Sequence, residues 1–474
     1  MEIDMRTVVE QLKELLGPQC ITDPEIAQQY LSDWRGLVHG SAACVLRPSS
    51  TKALSQAVQI CHAMGTAMVP QGGNTGLVGA ATPDASGKQV LVTTGGLRTI
   101  RKVDNVDLSI VAEAGVTIAD LQAAAEEADA HFSLSFASEG TATLGGALAT
   151  NAGGISAVRY GSARDLLLGI EAVLPDGRIW DGLRSLRKDN AGYALKHLFA
   201  GSEGTLGFIT AANMKLVPAP VVREIAFCAL ETEDDVLRLW VKLRSAADGN
   251  VRAIEYLSGP CIDLAKSHGL RSPVEAASHY VLIELTSSRQ TDGLKDLLET
   301  FLADAISDGL VVDAAIAQNV DQQKQFWRLR EDQTELQKKA GRDIKHDVSV
   351  PIAQVANLLK HGRSQLEKAF PEANVVPFGH VGDGNIHFNV IFPVDGELAP
   401  TSESMRAVNE IVYGTAIDLG GSFSAEHGIG QAKTELLQAH RSATELSLMR
   451  SLKVAFDPDL LMNPGKLLNL SQSN

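Results

Sequence analysis

Between residues 45 and 215 the chain alternates short apolar runs with stretches whose apolar residues recur every three or four positions. In residues 50–64, Leu54, Ala57, Val58, Cys61 and Met64 share one helical face, with a Ser or Thr cap at the start and Gly65 at the C′ position. Strands are predicted at 67–69, 90–93 and 108–112, and a helix over 117–130, where Thr117 and Asp120 are spaced as a capping box. Pro218 and Pro220 then interrupt the chain and mark a boundary. Beyond it the texture changes. Apolar runs at 224–230, 279–285, 347–350, 375–378 and 386–391 read as strands, separated by long polar helices at 234–246, 293–310, 321–339 and 352–369. That spacing predicts an antiparallel sheet covered by helices on one side. The expected class is α+β, divided as 1–220, 221–430 and a closing segment 431–474.

A length of 474 residues agrees with two or three domains. Hydrophobic residues at 45% and charged residues at 21% describe a globular chain. The net charge of −15 argues against a nucleic-acid surface, so no nucleic-acid partner is expected. It also means that an anionic substrate must be captured by a local cationic pocket. The five cysteines are scattered without a CxxC pair, which favours a reducing compartment over a disulfide framework. The start, Met-Glu-Ile-Asp-Met, has neither a basic nor an apolar leader region. No apolar run approaches the roughly 18 residues of a membrane span. A cytoplasmic protein without a transmembrane segment is expected.

Chemistry first appears in the glycines. Pro70-Gln71-Gly72-Gly73-Asn74-Thr75-Gly76 leaves a short strand, and adjacent glycines expose successive N–H groups as an anion nest suited to a pyrophosphate. The spacing is not GxGxxG, which speaks against a Rossmann domain. A glycine-rich hairpin would explain this loop alone. It does not explain a second cluster, from Ser138 through Gly140, Thr143, Gly145 and Gly146 to Asn151, Gly153 and Gly154, or a third at Gly201-Ser202-Glu203-Gly204. Small residues at this density let backbone lie against a flat cofactor.

The most informative stretch is His380-Val381-Gly382-Asp383-Gly384-Asn385-Ile386-His387-Phe388-Asn389. If residues 382–385 form a hairpin loop, His380 opposes His387, with Cβ atoms about 5 Å apart, and Asn389 shares their face. Two imidazoles so placed reach one divalent metal; a pair of core histidines is the competing reading. Glu426, in Ser424-Ala425-Glu426-His427-Gly428, is the candidate third ligand, since two His and one carboxylate suit zinc with an open position. His427 is the candidate base. Arg330 and Thr334 are four apart on one predicted helix, and Lys345 enters the following strand; Arg suits bidentate carboxylate capture. Arg328 reads as a solvated helix charge.

The three glycine clusters resemble the FAD-binding domain of the vanillyl-alcohol-oxidase-type flavoproteins. Together with HVGDGNIHFN, SAEHGIG and the C-terminal Asn463-Pro464-Gly465-Lys466, they resemble the D-2-hydroxyacid dehydrogenase branch over about residues 43–468. The resemblance implies an FAD domain, a helix-covered antiparallel substrate domain, and a C-terminal segment returning to the first. It places Pro70, Gln71, Gly72, Gly73, Asn74, Thr75 and Gly76 on the pyrophosphate. Ser138, Gly140, Thr143, Gly146, Asn151, Gly154, Glu203, Gly204, Ile209 and Asn463 would lie along the rest of the cofactor. No His or Cys occurs at 71–79 or 153–162, so non-covalent FAD is expected. By the same resemblance His380, His387 and Glu426 bind a divalent metal, expected to be Zn2+, and His427 is the catalytic base. Arg330, Thr334, Lys345 and Asn389 contact a D-2-hydroxy acid, whose C2 hydride passes to flavin N5. An external acceptor, an electron-transfer flavoprotein or a quinone, and a homodimer complete the expectation. The stretch Arg187-Lys188-Asp189-Asn190 fits the hydroxyglutarate branch, but Ala191 and Ala194 stand where Thr and Asp are expected. D-lactate and D-malate therefore stay open beside a longer dicarboxylate. A metal-dependent hydrolase would also use the histidine set but leaves the glycine clusters unexplained.

Overall fold

The computed structural model describes residues 4–393 and 401–470. The chain divides into two units: 1–153 with 161–219 and 426–474, and 154–160 with 220–425. Against the expected division, the return to the first unit comes at Glu426 rather than 431, and 154–160 goes with the second unit.

The first unit contains a four-stranded sheet in the order Cys20–Ile21, Cys44–Leu46, Val90–Thr93, Met68–Gln71, whose last three strands are parallel. The helix Thr51–Ala63 supplies the crossover from Cys44–Leu46, with the Ser50 side chain accepting from Ala53 N. Its Leu54, Ala57, Val58 and Cys61 join a core with Val8, Leu12, Met68, Val90 and Met462. A five-stranded antiparallel sheet runs Ile100–Asp104, Ser109–Glu113, Phe208–Lys215, Leu167–Val173, Ile179–Gly182. The predicted helix after Thr117 spans Ile118–Glu126, with Thr117 accepting from Asp120 N. The C-terminal segment locks onto the first sheet: Met68 N donates to Leu461 O at 2.8 Å and Asn463 N to Met68 O at 2.7 Å. Buried Lys453, in the helix Ala443–Phe456, donates to Thr205 O at 2.7 Å and Met462 O at 2.8 Å. All five cysteines are buried and free.

The second unit is one antiparallel sheet, in the order Asp313–Ile316, Val222–Leu230, His279–Ser287, Val251–Ser258, Asn374–His380, Asn385–Pro393, Gly341–Ile344, with Val348–Ser349 also paired to Asn385–Pro393. Helices cover both faces, which corrects the expected one-sided cover. On one face Phe326, Trp327, Leu329 and Leu336 pack with Phe227, Leu257 and Phe378. On the other, Glu233 of the helix Glu233–Ala247 lies 3.7 Å from His279, and Gly362 of the helix Val355–Ala369 lies against the Phe388 ring. The strands alternate between two buried faces, so their sequence is nearly continuously apolar and the pattern alone does not show on how many sides they are covered. Among the described residues no helix is long and apolar enough to cross a membrane.

Candidate active site

In the second unit, Asn374–His380 and Asn385–Pro393 form the expected hairpin, but its register differs. His380 faces Asn385, and His387 faces Phe378. The loop is 381–384: Gly384, at φ +86°, closes it by donating from its N–H to His380 O at 3.2 Å. Asn385 belongs to the strand, where its side-chain amide donates to Asp347 Oδ1 and Val348 O, both at 2.9 Å. The two histidines are thus diagonal neighbours, not direct partners. Residues two apart in a strand still share a face, and the imidazole centroids lie 5.6 Å apart. Asp347, fully buried, holds Ala425 N at 3.1 Å and lies 3.9 Å from His387 Nδ1.

Glu255 stands directly across from His380 in the neighbouring strand. It is 1% exposed. Its Oε1 lies 2.7 Å from His380 Nδ1, and its Oε2 accepts from Arg330 Nε at 2.6 Å. Burial pushes its pKa up, but the charges of His380 and Arg330 and their hydrogen bonds outweigh that and hold it at about 2. The Arg330 guanidinium also lies 4.7 Å over the Phe378 ring. Among the described residues its terminal amino groups make no hydrogen bond. The single helix expected over 321–339 is two: Arg330 sits in Val320–Glu331 and Thr334 in Gln333–Ala340, joined at Asp332. Trp327, one turn before Arg330, donates to buried Glu284 at 2.7 Å, so two carboxylates from adjacent strands seat this helix on the sheet. Lys345 follows the strand Gly341–Ile344 instead of entering the next, and its ammonium is 3.2 Å from Asp343. Asn389 donates to Gln337 Oε1 at 2.8 Å and accepts from His346 N at 3.0 Å. Arg328 pairs with Asp332 at the surface, as expected.

In the first unit the glycines bring two clusters together. A Cβ at Gly73 would lie 2.1 Å from Thr141 O; one at Gly72 would lie 2.6 Å from Thr143 Oγ1 and 3.2 Å from Gly146 Cα. Among the described residues, no N–H from Gly72 to Gly76 is used in an internal hydrogen bond. A backbone cradle with unspent donors fits an anionic pyrophosphate. Several polar side chains assigned to the cofactor also hold the scaffold. Gln71 donates to Tyr30 O and Ala81 O at 2.9 Å each, and Asn74 to Ser32 O at 2.8 Å. Thr143 caps the helix Leu144–Thr150, which Asn151 closes at φ +52° while accepting from Ser162 and Arg164 N, each at 2.9 Å. Thr75 and Gly76 complete the loop, and Gly76 is exposed with open space around it. Ser138 and Gly140 form a turn, Pro70 packs under Gly204, and Ile209 is buried in the strand Phe208–Lys215. Gly154 opens the short segment of the second unit.

Glu203, at φ +50°, is fully engaged: its carboxylate accepts from Ile429 N at 2.8 Å and Gly430 N at 2.6 Å, and burial raises its pKa. The third glycine cluster thus clasps the segment that directly follows His427. Asn463 donates to Glu203 O at 2.8 Å and Ala80 O at 3.0 Å. Its buried Oδ1 has no partner among the described residues. Glu426 lies beside the second cluster, where a Cβ at Gly153 would meet its Oε1 at 2.8 Å.

Residues 42–182 match the FAD binding domain family, and residues 219–467 match the C-terminal domain of FAD linked oxidases. The chain belongs to the FAD-linked oxidases. This FAD-linked oxidase is 36% identical over 464 residues to a mitochondrial D-2-hydroxyglutarate dehydrogenase of Arabidopsis thaliana, covering 97% of the chain and 81% of that relative. It is 32% identical to a D-2-hydroxyglutarate dehydrogenase of Xanthomonas citri pv. viticola, covering 94% and 93%. A solved p-cresol methylhydroxylase shares its fold, with a TM-score of 0.77 at 15% identity over 100% of this chain and 99% of that one. The FAD-linked oxidase is thus an α+β flavoprotein of the expected type. Sequence reasoning missed Glu255 and Asp347 here. A carboxylate inside the apolar run 251–258 was the available signal, because such a group is buried only with partners.

Proposed function

We propose that this FAD-linked oxidase converts D-2-hydroxyglutarate to 2-oxoglutarate. Names of relatives along nearly the whole chain support that substrate. The observation that carries the reading is a buried arginine beside two same-face histidines: Arg330, stacked on Phe378, with His380 and His387. When bound, FAD supplies a two-electron acceptor, and a divalent cation supplies charge that lowers the pKa of a nearby hydroxyl. His380 and His387 would hold that cation, with Glu426 as third ligand, and Zn2+ is the cation such a set favours. Arg330 binds a substrate carboxylate through its two terminal amino groups, and Lys345, Thr334 and Asn389 orient the remainder. His427 takes the hydroxyl proton as the C2 hydrogen leaves with its bonding pair. The electrons then pass to an external acceptor, an electron-transfer flavoprotein or a quinone.

A second reading is a smaller substrate, D-lactate or D-malate. The pairing of Lys345 with Asp343 favours D-lactate, which has no second carboxylate, because a compensated lysine is a weaker contact for one. Anaerobic mixing with D- and L-2-hydroxyglutarate, D-lactate and D-malate, followed by flavin absorbance, separates the two. D-2-hydroxyglutarate is expected to bleach the flavin fastest, its L-enantiomer not at all. Faster bleaching by D-lactate would transfer the assignment to the second reading. Treatment with a chelator is expected to abolish turnover while the yellow FAD stays bound, and full turnover by metal-free protein would remove the cation from the scheme.

A further inference from the structure

We propose that Glu255 is the positioning residue of this site, a single buried carboxylate that sets the proposed metal ligand His380 and the proposed substrate ligand Arg330 together. The inference rests on the functional reading above and deepens it. Glu255 and His380 are paired residues of adjacent antiparallel strands, so both side chains leave the same face of the sheet. The two carboxylate oxygens are divided between the two partners: Oε1 lies 2.7 Å from His380 Nδ1 and Oε2 2.6 Å from Arg330 Nε.

Each contact has a chemical consequence. A carboxylate paired to a guanidinium only accepts hydrogen bonds, so Nδ1 carries a proton in either charge state of the ring, and in the neutral ring it is the only one. That tautomer puts the lone pair on Nε2, the form in which a divalent cation is bound, and a second carboxylate on the far nitrogen is how metal-binding histidines are usually oriented. On the other side, Oε2 occupies Nε and leaves the terminal amino pair as the bidentate edge. The Phe378 ring fixes the guanidinium plane. Strand pairing and 1% exposure allow Glu255 little freedom, so both ligands inherit its position. Cation affinity and carboxylate recognition are therefore coupled through one residue.

The test uses FAD-loaded protein and Zn2+ as the probe. Glu255→Gln is expected to weaken Zn2+ affinity by about 10–100-fold and to raise KM for D-2-hydroxyglutarate, with FAD content unchanged. Arg330→Met is expected to raise KM while keeping Zn2+ affinity within about twofold of the parent, because Glu255 still holds His380. Where Glu255→Gln alone does not fold, the double variant Glu255→Gln/Arg330→Met removes the charge pair together, and the same loss of Zn2+ affinity is expected relative to Arg330→Met. Zn2+ affinity that falls in His387→Ala but stays at the parental value in the Glu255 variants would overturn the positioning role and leave the metal site standing. A parent protein that takes up no Zn2+ would sink both.

Discussion

Alanine at position 73 is expected to produce a protein that purifies without yellow colour. The added methyl would sit 2.1 Å from Thr141 O and 3.0 Å from Ala142 Cα, both backbone atoms that no rotamer change can move. Either the loop 72–76 lifts away from residues 141–146, or that segment shifts. Each response disperses the N–H groups proposed to face the pyrophosphate. Overpacking of this kind costs about 1–3 kcal/mol, which the fold of a two-unit protein survives, while FAD affinity falls by about 5–150-fold. Gly76→Ala is the matched control, because nothing lies within 4 Å of its added carbon. The ratio of flavin to protein absorbance after gel filtration reads the result. Parental FAD content in Gly73→Ala would show that the cradle is not where the cofactor is held.

The second large effect is expected at Glu203. Replacing it by Ala strips the acceptors from Ile429 N and Gly430 N, two buried backbone donors. Each unsatisfied donor costs about 1–3 kcal/mol, so a loss of about 2–6 kcal/mol is expected in urea unfolding. Glu203→Gln keeps one acceptor oxygen and is expected to lose about half as much. Hydrogen exchange gives the local reading: protection at residues 429 and 430 should collapse, while the strand Val222–Leu230 keeps its own. Flavin reduction by D-2-hydroxyglutarate is expected to slow in parallel, since the released segment begins one residue after His427. Unchanged protection at these two amides would mean that the clasp contributes nothing.

Much of this architecture could be read from local pattern. The helix Thr51–Ala63, the strand Val90–Thr93 and the strands around the histidine hairpin lie within a few residues of their expected places, because each is set by its own periodicity and caps. The hairpin register was missed by two residues. Turn chemistry at 382–385 is equally compatible with a loop one position earlier, and only Gly384 at positive φ, packed against Val350, decides between them. The strand Val251–Ser258 was not recognised, and Glu255 went unseen with it. That residue's meaning depends on partners 75 and 125 positions away, which no local window contains. Gln71, Asn74, Thr143 and Glu203, in the clusters expected to contact the cofactor, have side chains bonded to the scaffold. A motif marks where backbone must approach closely without saying whether the neighbour is a ligand or another loop.

The locking of Met68 between Leu461 and Asn463 has a bearing on biosynthesis. The edge of the first sheet emerges early, whereas the segment that covers it follows the whole insert 220–425. At about 5–20 residues per second, a ribosome leaves that edge waiting roughly 20–80 s. Before that interval ends the inserted unit has all of its own strands and is free to fold, so residues 461–463 reach the first sheet only after the insert has been made.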